Sequence, residues 1–236
     1  MDRATQRQRN ARRGLVRSAR NRRTALTRLR ARTNQAKMLR GIGRPFYGFP
    51  QSIITKLRYV SFVTLTAAGG TVAGNVFHAN GIYDPDVTGT GHQPLYRDEY
   101  AALYAKYAVL GSKCTATFSA GAGIPAQVGI LKDDDATTTS NLETSMEQSG
   151  AVFDVTGALG ASPTTLVSTY SPLRDMGVDV KNDGDLQANQ GGPPNNSYYF
   201  KVWAISADAV TSTSVVVQVT IEYTVKFTEL ITPTQS

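Results

Sequence analysis

Along Val217–Thr228, "VQVTIEYTVKFT", apolar and polar residues alternate without a break. Val217, Val219, Ile221, Tyr223, Val225 and Phe227 fall on one side, and Gln218, Thr220, Glu222, Thr224, Lys226 and Thr228 on the other. Side chains alternate across a strand, so this pattern predicts a half-buried β-strand with a polar outer face. Ser197–Ser206, "SYYFKVWAIS", is rich in aromatic and β-branched residues. The turn-like "ADAVTSTS" that follows predicts that it pairs with the last strand as an antiparallel hairpin. Further strands are expected at Ile53–Ala68, Val72–His78, Val109–Ala120, Ala126–Lys132 and Thr165–Tyr170, divided by breaks such as "AAGG" and "AGAGIP". Strands this numerous with turns between them predict an all-β antiparallel sandwich or barrel.

Only one segment of the body has a helical period. In "DEYAALYAKYAVLG", Tyr100, Leu103, Tyr104 and Tyr107 recur at i, i+3, i+4 and i+7, with Asp98 as the expected N-cap and Gly111 beyond the end. The connection Ser171–Asn196 is polar and full of turn residues, which predicts a contact surface or a disordered loop.

The first 44 residues break with all of this. "RNARRGLVRSARNRRTALTRLRAR", Arg9–Arg32, has only a few scattered large apolar residues and no helical stripe. The chain of 236 residues carries 25 basic and 18 acidic side chains, and 15 of the basic ones lie in Met1–Arg44 beside a single acid, Asp2. They are Arg3, Arg7, Arg9, Arg12, Arg13, Arg17, Arg20, Arg22, Arg23, Arg28, Arg30, Arg32, Lys37, Arg40 and Arg44. The segment is therefore +14 and the remainder −7, a basic arm on a mildly acidic body. Such a segment buries too little to offset backbone ordering at about 1–2 kcal/mol per residue, so it is expected to be disordered when alone. "GIGRPFYGFP", Gly41–Pro50, reads as a stiff connector whose rings Phe46, Tyr47 and Phe49 are expected to pack on the body.

Three readings of the arm stay open at this point. Arginine forks bond phosphate oxygens in pairs, which suits a nucleic-acid arm, and the Arg12-Arg13 and Arg22-Arg23 clusters suit nuclear import receptors. A mitochondrial or chloroplast transit peptide is also Arg-rich and acid-poor. The third reading is a solvated tail that keeps the protein in solution.

Candidate chemistry in the body is sparse. The lone Cys114 excludes an intramolecular disulfide framework and multi-cysteine metal sites, and reads as a small core hydrophobe. No run approaches the ~18 apolar residues of a membrane span, and no secretory h-region follows the first arginines, so membrane insertion is not expected. Gly121–Ala126, "GAGIPA", matches a dinucleotide fingerprint on paper, but Pro125 and the strand after it deny the required helix. His78 and His92 are the only histidines, and ordinary hydrogen-bonding roles suit them better than metal ligation. Asp133, Asp134 and Asp135 are candidates for a calcium ion between subunits, although a charged turn after a strand is the plainer reading. Trp203 reads as core or interface packing, and Asn195–Ser197 as a sequon without use. No catalytic constellation emerges, so no enzyme and no cofactor is expected.

The most specific segment is "NVFHANGIYDPDVTGTGHQPLYRDEY", Asn75–Tyr100: a strand, an Asn80-Gly81 turn, an Asp84-Pro85 turn, then His92-Gln93 held extended ahead of Pro94. It resembles the capsid proteins of circular single-stranded DNA viruses, the circovirus-like group that encodes a replication-initiator protein. In that group a YDPD-TG-GHQP loop follows an early strand. Here Tyr83, Asp84, Pro85, Asp86, Thr88, Gly89, Gly91, His92, Gln93 and Pro94 carry it. The match covers Asn75–Phe118, and elsewhere it rests on layout: basic arm, β body, and a final strand ending "VKFTELITP".

The resemblance implies a single eight-stranded jelly roll of two four-stranded sheets, with residues 1–44 as a nucleic-acid arm bearing a nuclear localisation signal and residues 45–236 as the shell domain. It implies a T=1 icosahedral particle of about sixty copies, in virions and in the host nucleus, with a structural role for the His-Gln-Pro loop. Sixty arms would bring on the order of 900 basic groups to a small genome, so packaging would be salt-sensitive and mostly sequence-independent. Nuclear import receptors and a host surface receptor are the further partners it implies. Coat proteins of single-stranded RNA viruses, and a cellular or organellar β protein with an Arg-rich segment, remain the alternatives.

Overall fold

The computed structural model describes residues 48–121, 124–138, 140–181 and 183–232; the arginines of the arm lie outside them. Pro50–Ser236 forms one compact unit. Its strands are β1 (Ser52–Ala67), β2 (Ala73–His78), β3 (Tyr104–Ala120), β4 (Ala126–Asp133), β5 (Val152–Thr156), β6 (Thr164–Tyr170), β7 (Gln187–Asn189), β8 (Tyr199–Ser206) and β9 (Thr213–Leu230). Three short helices intervene: α1 (Arg97–Ala101), α2 (Leu142–Glu147) and α3 (Pro172–Asp175).

The long strands make two antiparallel sheets, I in the order β1-β9-β3-β6 and II in the order β2-β8-β4-β5. The pairs β1–β9, β2–β8, β3–β6 and β4–β5 describe one antiparallel ribbon folded in half. Wrapping the ribbon adds the β9–β3 and β8–β4 ladders and closes a jelly roll. The three-residue β7 adds to β3, giving sheet I a fifth member that the expected four-plus-four arrangement lacks.

The inner faces interdigitate as the sequence alternation requires. From Val215 to Phe227 every odd residue of β9 is fully buried, and Leu57, Tyr59, Phe118, Ile130, Phe200 and Val202 join them in one core. Cys114 is a fully buried member, and burial pushes its thiol up to about 12. Trp203 faces outward from sheet II, where it packs with Leu131 and Ile205 beneath Leu142 and Met146 of α2. Its ring lies over Gly129, where a Cβ would fall 2.3 Å from Cζ2.

Two expectations fail for physical reasons. Ser197–Ser206 and the last strand are not a hairpin: β8 pairs with β2 and β4 in sheet II, whereas β9 belongs to sheet I. The helix expected from Asp98 ends at Ala101, its N-cap is Tyr96 in a left-handed conformation, and Tyr104 opens β3. The helical spacing arose because a short helix and a strand meet there. Tyr100 and Leu103 pack on the core from the helix side, and Tyr104 and Tyr107 enter it from the strand. A bulge between Val109 and Gly111 then shifts the register, so buried positions change from odd (Tyr107, Val109) to even (Cys114, Ala116, Phe118).

The topology gives the body two unlike ends. The short connections 68–72, 121–125, 157–163 and 207–212 lie together, tied by Gly69 N–H to Ser212 Oγ (3.1 Å) and Ala207 N–H to the Pro125 carbonyl (3.0 Å). The long connections 79–103, 134–151 and 171–198 gather at the other end, beside Pro50, whose carbonyl accepts from Tyr104 Oη at 2.9 Å. The two ends of the body thus carry connections of unlike length.

Candidate functional site

The loop after β2 is the segment in which sequence and structure concentrate polar contacts. It folds back on β2 as a one-residue bridge between Phe77 and Asp86, with His78 N–H donating to the Pro85 carbonyl (2.8 Å) and Val87 N–H to the Val76 carbonyl (3.1 Å). The Asp86 carboxylate is buried and accepts from Asn75 Nδ2 (3.2 Å), Thr88 N–H (3.0 Å) and Thr88 Oγ1 (2.8 Å). Asp84 sits close by, and its carboxyl is raised, first by burial and then by the charge of Asp86. Gly91 closes the loop over both: a Cβ there would lie 2.8 Å from Tyr59 Oη and 2.9 Å from Asp86 Cβ. The exposed His92 ring rests on Tyr59 with centroids 4.8 Å apart. Pro85 and Pro94 are buried, and Gln93 accepts from Arg97 Nη1 at 3.3 Å. The Asn80–Gly81 pair bends the chain without the positive φ of a two-residue hairpin turn.

Three residues that organise this loop were not legible as site residues. Arg97 is 5% exposed, donates to Asp98 Oδ1 (2.8 Å) and to the Gln190 carbonyl, and lies 5.1 Å from the Tyr83 ring centroid. Asn80, read from sequence as a turn residue, is buried. It clamps the distant 171–198 connection through the Asn196 carbonyl (2.7 Å) and Tyr198 N–H (2.9 Å). Tyr59 supplies the floor under His92. A lone arginine within an aromatic and acidic loop was the one signal available in the sequence; the other two are visible only through partners far along the chain.

The two histidines sit in different surroundings. His78 is buried against the Tyr199 ring at 4.9 Å, and burial lowers its pKa from 6.5 to about 4. An unfolded histidine takes up its proton near 6.5 and the folded one only near 4, so stability is expected to fall as pH drops through that window, by about 3 kcal/mol in full. Melting temperatures from pH 7 to 4 check this: His78→Phe should lose less than the parent chain, and parallel curves would place the acid sensitivity elsewhere.

The three aspartates at the end of β4 diverge. Asp133 pairs with the buried Lys201 at 2.8 Å; burial alone would raise its carboxyl, but that hydrogen bond and charge hold it below the usual range. Asp135 accepts from Thr137 N–H (3.0 Å) and Oγ1 (2.8 Å). Among the described residues no three His, Cys, Asp or Glu side chains cluster as metal ligands, and no helix is long and apolar enough to cross a membrane. Part of the 171–198 connection is pinned rather than loose: Asp175 bridges Lys132 (2.7 Å) and Arg174 (2.9 Å). Against the opposing effect of burial, these bonds hold its carboxyl at about 2.

The loop also presents a surface. Leu95 and Tyr96 are exposed over 71% and 62% of their area and, with His92 and Gln93, face Lys56, Arg58 and Val60 of edge strand β1 across a groove of about 590 Å³. The arrangement suits contact rather than covalent chemistry. Of the connector rings only Phe49 falls within the described residues, and it is exposed, contrary to the expected packing.

No family model matches the chain, and no curated protein matches it. Among solved structures, one of tobacco necrosis virus is 14% identical, covering 80% of this chain and 90% of that chain with a TM-score of 0.46. The 60-mer BFDV capsid protein is 12% identical over 80% of this chain and all (100%) of that chain, with a TM-score of 0.43. A turnip yellow mosaic virus structure is 14% identical over 78% and 98% of the two chains, with a TM-score of 0.41. The jelly-roll assignment rests on the strand order of the chain itself.

Proposed function

We propose that the protein is a viral coat protein. It assembles into a small icosahedral shell of about sixty copies and packages a circular single-stranded DNA genome through the arginines of Met1–Arg44. The observation that carries this reading is the joining, in one chain, of a jelly roll to a segment of charge +14. A two-sheet body whose two ends carry unlike connections suits heterologous contacts that close about symmetry axes. The segment supplies bidentate phosphate donors without base specificity. The resemblance of residues 75–118 to circovirus-like coat proteins favours DNA over RNA as the cargo. In this reading the loop holding Asp86 and His92 is structural, and the same arginine clusters serve nuclear import in the host.

The deciding experiment is size-exclusion chromatography with light scattering and electron microscopy of the purified protein. Spherical particles holding about 1.5 MDa of protein are expected, with excess absorbance at 260 nm that resists external nuclease. Released nucleic acid should be degraded by DNase; degradation by RNase alone would assign an RNA cargo. A stable monomer across salt and pH would sink the coat-protein reading in favour of a cellular or organellar role. Residues 1–44 fused to a reporter should enter nuclei, and an evenly distributed or mitochondrial reporter would remove the import role.

A further inference from the structure

The body is −7 overall, yet its positive charges are not spread over it. Four of its ten basic side chains are held by carboxylates in sheet II and the long connections: Arg97 by Asp98, Lys132 and Arg174 by Asp175, and Lys201 by Asp133. Five of the other six lie on the outer face of sheet I, where polar positions of β1, β9 and β3 alternate with the buried ones. Lys56 stands beside Thr224, Arg58 and Lys113 flank Glu222 from either side, Ile54 and Ala108 flank Lys226, and Lys106 stands beside Thr228. The sixth, Lys181, borders a hollow that Ile54, Lys226 and Thr228 also line.

Among the described residues Lys56, Lys113, Lys181 and Lys226 have no carboxylate within 4.0 Å, so every unpaired cation of the described body belongs to this one face or its rim. The acids on the face are outnumbered. Glu229 pairs with Lys106 at 2.7 Å, and Glu222 is lowered by its hydrogen bond to Arg58 and by the charges of Arg58, Lys113 and Lys56 around it. Rungs two residues apart lie about 7 Å apart along a strand, which repeats the positive charge along the sheet. Farther along the same face, Phe62 is 70% exposed between threonine and glutamine neighbours, Gln218 and Thr117 among them.

We propose that this face is a second nucleic-acid interface, built on the folded body and independent of the arm. The lysines and Arg58 take the phosphates of a single strand, and Phe62 offers a ring for an unpaired base. Charge complementarity selects the occupant: the face is cationic on an anionic domain, and an exposed aromatic beside a cationic track is the arrangement that single strands use. By contrast, the outer face of sheet II carries the apolar cluster of Trp203, Leu131 and Ile205 under α2, which has no such track. The reading above supplies only the source of the strand, so free oligonucleotide tests the face whether or not particles form.

The test uses the full chain and a short oligothymidine, titrated between about 50 and 400 mM salt. Replacing Lys56, Lys113 and Lys226 by Gln together should reduce the slope of log K against log salt by about 2, and arginine at the same three positions should restore it. Ultraviolet crosslinking of the parent chain should label the tryptic peptide Tyr59–Arg97, which contains Phe62, and Phe62→Ala should remove that label. Both variants should keep the parent melting temperature. An unchanged slope with every crosslink in residues 1–47 would overturn the proposal. An unchanged slope with altered particle yield would overturn it too, and would make the face a contact between copies.

Discussion

A chain lacking residues 1–44 is expected to purify as a folded body without nucleic acid, its absorbance spectrum that of protein alone. Fifteen basic groups leave with those residues, and the body that remains is −7. For a single strand each neutralised phosphate contributes about 0.7 to the salt slope, so full engagement of the arm gives a slope of about −10. A fourfold rise in salt then weakens binding by about six decades. What the outer face of sheet I retains is smaller by several contacts and is seen only at low salt. The fold should survive, because the core that spans both sheets lies within Pro50–Ser236. Circular dichroism, melting and the 260/280 nm ratio check the result together; unfolding of the shortened chain would make the arm part of the domain rather than an appendage.

Asp86→Ala should lower the melting temperature by roughly 10 °C. The substitution strips the acceptor from Asn75 Nδ2 and from the Thr88 N–H and hydroxyl, all arranged around a buried carboxylate. Hydrogen bonds to a charged acceptor contribute about 1.5–3 kcal/mol each, so losing two or three of them costs roughly 3–5 kcal/mol, and in a domain of this size each kcal/mol is worth about 2–4 °C. Asp84→Asn is the informative companion. The Asp84 carboxyl is raised because burial and Asp86 disfavour its charge, so the folded state gives up stability above the ordinary carboxylate range, and an amide should be neutral or stabilising at pH 7. Equal losses at both positions would show that the loop depends on two negative charges rather than on one hydrogen-bonded hub. Gly91→Val should resemble Asp86→Ala, since its side chain would occupy the space of Tyr59 Oη and Asp86 Cβ.

Strand pattern, as alternation in β9 and as apolar and β-branched runs between turns in β1, β2, β4, β6 and β8, was enough to find these six. It tells which face is buried but not which strand lies alongside, and so β8 and β9, neighbours in sequence, were read as partners although they lie in different sheets. The start of β3 was lost because its bulge interrupts the period of two at the same place where Tyr100, Leu103, Tyr104 and Tyr107 imitate a helix. β5 and β7 escaped notice for another reason: one shows two apolar residues to solvent, Phe153 and Val155, and the other is three residues long. In the candidate site the sequence marked the loop and its prolines and glycines. The roles of Asn80, Arg97 and Tyr59 depend on Asn196, Gln190 and His92, contacts that only the closed ribbon creates.

The place of β9 has a consequence for synthesis. It is the strand that joins β1 to β3, with partners on both sides, yet it follows Ala67 by most of the body's length. At a translation rate of about 5–20 residues per second, the unpaired edges of β1 and β3 wait on the order of ten seconds for it to leave the ribosome. Sheet I therefore cannot close domain-first as the chain emerges. The nascent protein spends that interval with unpaired strand edges, and in a crowded cell holdase chaperones have their opportunity there, before the domain can close.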